Sequence, residues 1–151
     1  MSNFLINPGI CNNTALRKAA RRLTRFYDAC MAETGLRATQ YTILSFLAAK
    51  GPITMAALAD LLSMDRATMG HNLRPLERDG LVTIEVGRED RREREVALSR
   101  LGVKTEAQSK PLWLKAQAHF EQEFGKEDAL AMRRVMARIA VLELTADQET
   151  S

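Results

Sequence analysis

Apolar residues at Leu16, Ala19, Ala20, Leu23, Phe26, Tyr27, Cys30 and Met31 recur at the i, i+3, i+4, i+7 spacing of an amphipathic helix, and every base of that stretch lies off the stripe. Thr14 stands where an N-cap is expected and Gly35 where the helix should stop. TQYTILSFLAAK predicts a second helix, capped by Thr39 and ended by Gly51 and Pro52. Thr54 then caps a short helix, MAALADLLS, with Leu58, Leu61 and Leu62 facing inward. After a turn at Ser63 to Asp65, Asp65 caps a fourth helix, RATMGHNLRPLERDG, whose stripe is Met69, Leu73 and Leu76 and whose stop is Gly80. Two short helices joined by a tight turn outline a helix-turn-helix.

Past Gly80 the period shortens from 3.6 to 2: Val82, Ile84 and Val86 alternate with Thr83 and Glu85, and Val96 and Leu98 resume the alternation after GREDRRERE. The expectation is one two-stranded hairpin tipped by that charge run. Ser99 caps a long helix through Phe124, with a kink expected near Pro111. Gly125 separates it from a last helix running to about Leu144, with Leu130, Val135, Ile139 and Leu142 on one side. The first dozen residues and the last six carry no core pattern and read as arms.

Composition bears this out only in outline. A chain of 151 residues with 5% aromatics suits one mainly α-helical domain. Its net charge of +3 hides a polarity: residues 1–27 hold no acid and five bases, Arg17, Lys18, Arg21, Arg22 and Arg25, whereas residues 121–151 hold seven acids and four bases. Cys11 and Cys30, with His71 and His119, match no zinc-ligand spacing, so no metal is expected. No signal-peptide pattern and no apolar run of roughly 20 residues is present, which makes a cytoplasmic protein without membrane association the expectation. Nor is there a nucleophile–base constellation or a phosphate-binding glycine loop, so neither an enzyme nor a cofactor is expected.

The fourth helix carries the chemistry. With Met69, Leu73 and Leu76 turned inward, Ala67, His71, Arg74 and Arg78 point away, flanked by Thr68 and Gly70. Arginine pairs bidentately with guanine, threonine offers a hydroxyl or a methyl, and small residues let the backbone approach. A polar helix face alone is ambiguous. An arginine-tipped hairpin directly after it is not, because together they describe a winged helix-turn-helix, in which arginine reaches a narrow minor groove beside the reading helix. Pro75 should bend the helix and turn its C-terminal half away, which favours Arg74 over Arg78.

From about Thr39 to Gly102 the chain resembles the MarR family, in which D-x-R followed five residues later by L-[ST]-x-x-G marks the wing and the next helix; here the matching residues are Asp90, Arg92, Leu98, Ser99 and Gly102. The resemblance implies a single domain over residues 1–151, with a winged helix-turn-helix DNA-binding lobe at 36–100 and dimerisation helices at 12–34 and 101–146. It further implies a homodimeric, sequence-specific regulator of transcription, a repressor released by a small phenolic or other aromatic effector, with double-stranded operator DNA as partner. The DNA-binding set is then Arg66, Ala67, Thr68, Gly70, His71, Arg74, Asp90, Arg91 and Arg92, with Arg92 in the minor groove. Gly70 and His71 depart from the commonest pattern, where a hydroxyl residue and a base stand.

Three further readings remain open. Tyr41, Phe46 and Trp113, with Phe120 and Phe124, are candidates for an effector cavity, against ordinary core packing. Cys11, near a helix start and close to Arg17 and Lys18, is a candidate redox thiol, in keeping with relatives that sense peroxide through an N-terminal cysteine, whereas Cys30 belongs to the apolar stripe. The same fold also serves as a protein-interaction module that does not bind DNA.

Overall fold

The computed structural model describes residues 7–146. The chain divides into two compact units, Met1–Ala116 and Gln117–Ser151. The first contains α1 (Asn12–Met31), α2 (Ala38–Lys50), β1 (Ile53–Thr54), α3 (Met55–Leu61), α4 (Arg66–Arg78), β2 (Val82–Val86), β3 (Arg94–Leu98) and most of α5 (Arg100–Phe124); the second contains the end of α5 and α6 (Lys126–Ala140). Helices, hairpin and helices thus follow in the order that periodicity predicts. One element is additional: β1 pairs antiparallel with β3, so the hairpin becomes a three-stranded sheet of order β1–β3–β2. Two residues are too few to show a period.

Val96 explains why β3 is central. It is fully buried and faces Ile53 on one side and Ile84 on the other. These side chains pack into the core formed by Met31, Tyr41, Ile43, Leu44, Leu47, Leu58, Met69, Leu73 and Leu76. Val86, expected to share the inward face, is 62% exposed, because the strand pair has by then run past the core and into the wing.

Caps that act within one turn are found where the sequence puts them. Thr54 Oγ1 accepts from Ala57 N–H at 3.1 Å, Asp65 Oδ1 from Thr68 N–H at 2.7 Å, and Ser99 Oγ from Gly102 N–H at 3.0 Å. Two others differ. α1 starts two residues before Thr14, with Cys11 as its N-cap, after a 3-10 turn at Pro8–Ile10 closed by Asn7, so residues 7–11 are not a loose arm. The rest of the expected arms, residues 1–6 and 147–151, lies outside the described residues. α2 starts at Ala38, not after Thr39: its first N–H groups are met by Asp28 Oδ1 from α1, which accepts from Ala38 at 2.7 Å, and by Gln40 Oε1, which accepts from Arg37 at 2.8 Å. α6 ends at Ala140, short of the expected Leu144. α4 and α5 are assigned as continuous helices through Pro75 and Pro111.

Burial of the α1 stripe is uneven. Met31 is buried and Leu23, Phe26, Tyr27 and Cys30 are half-buried, but Leu16, Ala19 and Ala20 are exposed, since nothing in the described residues covers that half of the helix. In the second unit Arg133 Nη1 pairs with Glu121 Oε1 at 3.2 Å and Phe120 stacks on Phe124, while Leu130, Val135, Met136 and Ile139 of α6 remain exposed. No helix among the described residues is long and apolar enough to cross a membrane.

The base of the hairpin is locked to the end of α4. Leu81 N–H donates to Leu76 O at 2.8 Å, Ser99 N–H donates to Leu81 O at 3.0 Å, and the Ser99 hydroxyl donates to Gly80 O while accepting from Gly102 N–H. Gly102, buried, lies directly against the Leu81 carbonyl, and a Cβ at this position would overlap that oxygen. Gly102→Ala is therefore expected to destabilise the fold by about 1–3 kcal/mol, as overpacking against backbone does, with a lower urea midpoint as the measurement.

Candidate nucleic-acid interface

α4 forms because Asp65 supplies its cap and because Met69, Leu73 and Leu76, each fully buried, give it a continuous inner stripe. The cap is an ionic one: the backbone N–H and hydroxyl of Thr68 hold the Asp65 carboxyl below the usual carboxylate range. Asn72 Nδ2 donates to Thr68 O at 2.8 Å and touches Met64 Sδ at 4.0 Å, tying the helix back to the preceding turn. Neither Asn72 nor Met64 is evident from the sequence, where each is one more residue of a polar or apolar run.

On the outward side Arg66, Ala67, Thr68, His71 and Arg74 are exposed and Gly70 is half-exposed, so the expected residues share one accessible surface. Arg66 and Arg74 form no ion pair with any described residue. Arg78, by contrast, is held by its neighbour: its Nε donates to Asp79 Oδ1 at 3.2 Å.

The wing tip, residues 87–93, is a small folded unit. Gly87 N–H donates to Glu93 O at 2.8 Å and Glu93 N–H to Asp90 O at 3.1 Å. The Asp90 carbonyl oxygen sits 2.6 Å from where a Cβ on Gly87 would stand, so glycine is required there. Asp90 then fixes Arg92 three times over: Oδ1 accepts from the Arg92 backbone N–H at 2.9 Å and from Nε at 3.2 Å, and Oδ2 accepts from Nη2 at 3.3 Å. This is the fork-to-fork geometry of an arginine–carboxylate pair. The backbone bond first, and the guanidinium second, hold the Asp90 carboxyl below its ordinary range. The group is thus charged in the fold wherever an ordinary carboxylate is, and the pairing is lost only as pH falls through the lowered pKa. The Arg92 side chain is nevertheless 90% exposed, and Arg91 beside it is exposed too.

A cavity of about 450 Å³ opens beside this frame, lined by Leu23, Thr24 and Tyr27 of α1, Thr39 and Thr42 of α2, Leu62 and Met64 of the helix-turn-helix turn, and Trp113 of α5. Of the five aromatics that the sequence offers for an effector cavity, Tyr41, Phe46, Trp113, Phe120 and Phe124, only Trp113 lines it. Tyr41 is buried behind Trp113, with ring centroids 6.2 Å apart, and its hydroxyl donates to Glu106 Oε1 at 3.3 Å. Burial, then the Glu106 charge, raise the Tyr41 pKa. Phe46 packs against the core. The rows of α1 bases stay exposed, and Arg17, Arg21 and Arg25 line a shallow concavity of that helix. Cys11 is exposed at the N-terminus of α1, where the Thr14 side chain first and the Thr14 backbone second lower the thiol pKa; Cys30 is half-buried. No group of His, Cys, Asp and Glu suited to a metal ion is present among the described residues.

Residues 34–93 match the model of the MarR family. Among solved structures, the Mycobacterium tuberculosis transcriptional regulator MosR in complex with DNA is 32% identical, with a TM-score of 0.78 over 86% of this chain and 93% of that one. The chain belongs to the MarR family. The transcriptional repressor CouR, bound to a 23-mer DNA duplex, is 25% identical with a TM-score of 0.77, covering 87% of this chain and 94% of that one. PcaV of Streptomyces coelicolor, in complex with its natural ligand, shares the fold at 16% identity and a TM-score of 0.79, over 93% of this chain and 97% of that one. No curated protein matches the sequence. The chain is accordingly a DNA-binding transcription regulator of the MarR family, mainly helical with a hairpin wing.

In this MarR-family chain the Asp90–Arg92 pair yields a prediction of opposite sign to simple electrostatics. Removing a carboxylate from a DNA-binding protein should strengthen binding if charge alone mattered. If Arg92 contacts DNA, Asp90→Ala is instead expected to weaken duplex binding roughly two- to ten-fold, because Arg92 must then be ordered on binding. Fluorescence anisotropy at fixed salt measures it, and tighter binding would remove the pose-holding role.

Proposed function

We propose that two copies of this chain form a repressor that holds a pseudo-palindromic operator, with paired α4 helices in successive major grooves about 34 Å apart and each Arg92 in the flanking minor groove. The observation that carries this reading is the common frame of α4 and the wing. The outward face from Arg66 to Arg74 and the clamped Arg92 project from elements locked together at Gly80, Leu81, Ser99 and Gly102. Pairing of copies is supported by the exposed apolar residues of α1 and, separately, of α6, which a partner copy would cover.

On this reading Arg74 reads base edges and Arg92 is a sequence-tolerant contact. Arg92→Ala is expected to weaken binding similarly across duplexes and to reduce the salt slope by about 1, whereas Arg74→Ala also relaxes base preference. Titrations over a salt series with duplexes selected from a random pool test both. Unchanged affinity and slope for Arg92→Ala would make the wing assignment untenable, and absence of salt-dependent binding to any duplex would favour a protein-interaction module.

Release by an effector is supported by the cavity beside Trp113. Its volume of about 450 Å³ lies within the roughly 300–1,000 Å³ of small-molecule sites. Its lining is mostly apolar, with Tyr27 and Trp113 and three threonines, Thr24, Thr39 and Thr42, which suits a small aromatic ligand, phenolic among others. A ligand there touches Leu62 and Met64, immediately before the Asp65 cap, so occupancy acts on the start of α4. A coupling of about 1–3 kcal/mol is sufficient for such control.

A second reading, thiol control, has its own support in the exposed Cys11 at the N-cap position of α1. The thiol should alkylate with a midpoint below that of an ordinary cysteine, about 8.5, and Cys11→Ser should abolish any loss of DNA binding caused by peroxide. An ordinary midpoint together with an unchanged peroxide response would sink this reading.

A further inference from the structure

Gly70 is a glycine that the fold does not need. The other seven of the chain's eight glycines each answer to a positive φ or to an atom pressed close to where a Cβ would stand. Gly70 has neither: its backbone is ordinary helix, and a Cβ built on it meets nothing within 4 Å. It is nevertheless the fifth residue of a 13-residue helix, an interior position where glycine weakens a helix relative to alanine. The chain therefore carries a destabilising residue at a place where its own packing would accept a side chain. What occupies that space is outside the chain.

We propose that Gly70 is a specificity determinant, a notch that receives the C5 methyl of a thymine in the major groove. This rests on the reading of α4 as the base-contacting helix. Gly70 is in the N-terminal half of α4, the half that meets base edges. Lacking a side chain, and with its backbone polar groups engaged in the helix, it offers no hydrogen bond and gains only from close apolar contact. Thymine's methyl is the apolar group that bases present in this groove. Ala67, three residues earlier on the same outward surface, supplies a second small apolar contact.

The test is Gly70→Ala in the full chain, measured by thermal unfolding and by binding to a duplex selected by the wild-type protein. The expected result is a Tm higher by about 1–4 °C and specific affinity lower by about ten-fold, with affinity for random duplex unchanged. Replacing the contacted thymine by uracil should weaken wild-type binding and restore part of the variant's loss. A lower Tm, an unchanged specific affinity, an equal loss on random duplex, or no rescue by uracil at any thymine would each overturn the proposal. Failure of the wild-type protein to select any duplex would instead remove the reading of α4 on which it rests.

Discussion

The contact between Gly102 and the Leu81 carbonyl governs how the DNA-binding parts are oriented. α4 ends, the hairpin begins and ends, and α5 starts within a few residues of that point, and a side chain as small as alanine's would force them apart. Ser99 completes the closure by donating to Gly80 O while capping α5 at Gly102 N–H. Because a single hydroxyl serves both tasks, the direction of the wing and the direction of α5 are set together. The Leu98, Ser99 and Gly102 pattern of the family thus has a steric and hydrogen-bonding reason, separate from any contact with DNA.

One pair of the wing's balanced charges, Asp90 and Arg92, has a geometric role of its own. Asp90 spends both oxygens on Arg92, and its carbonyl packs on Gly87 and accepts from Glu93, so one residue sets both the loop's path and the pose of its guanidinium. Glu85 and Glu95 stand opposite each other across β2 and β3 and share a small concavity with Arg88. Like charges directly opposite disfavour pairing, so this cross-strand pair does not itself hold the hairpin together. Within the run from Gly87 to Glu95, Gly87 and Asp90 thus have structural tasks, and the exposed Arg92 is the side chain they position.

What the sequence made legible was local. The caps at Thr54, Asp65 and Ser99 act across three residues, and the stripe of Met69, Leu73 and Leu76 within three turns, so spacing alone identified them. Where a partner came from farther along the chain, spacing pointed elsewhere: Asp28 caps α2 from ten residues away, and Thr39 was the nearer but unused choice. The effector candidates show the same limit. Tyr41 and Phe46 have the right chemistry for a cavity wall, yet the cavity is assembled from α1, the turn and α5, and those two aromatics fall on the core side of α2. Gly70 and His71 were legible as departures from a pattern, but only the open space around Gly70 shows that packing is not the reason for the glycine.

The two ends of α4 are held by the same kind of backbone closure, and they differ in what lies against them. Its C-terminal end is fixed by backbone hydrogen bonds at Asp79, Gly80 and Leu81 and by the steric closure at Gly102. Its N-terminal end follows a turn closed by Ser63 N–H to Asp60 O at 3.2 Å and by Met64 N–H to Ala59 O at 2.8 Å, in which Ser63 adopts a left-handed φ of 51°, a conformation costing about 1 kcal/mol for a non-glycine residue, and Asn72 reaches back to Met64. Leu62 and Met64 on either side of Ser63 are walls of the cavity. Arg66, Ala67, Thr68 and Gly70, proposed to face bases, all lie at this end, whereas the wing joins the other. Under the proposed control by a ligand, an occupant touching Leu62 and Met64 would therefore act first on that end, disturbing the proposed base contacts before the proposed Arg92 contact, so that specificity would be lost ahead of non-specific affinity.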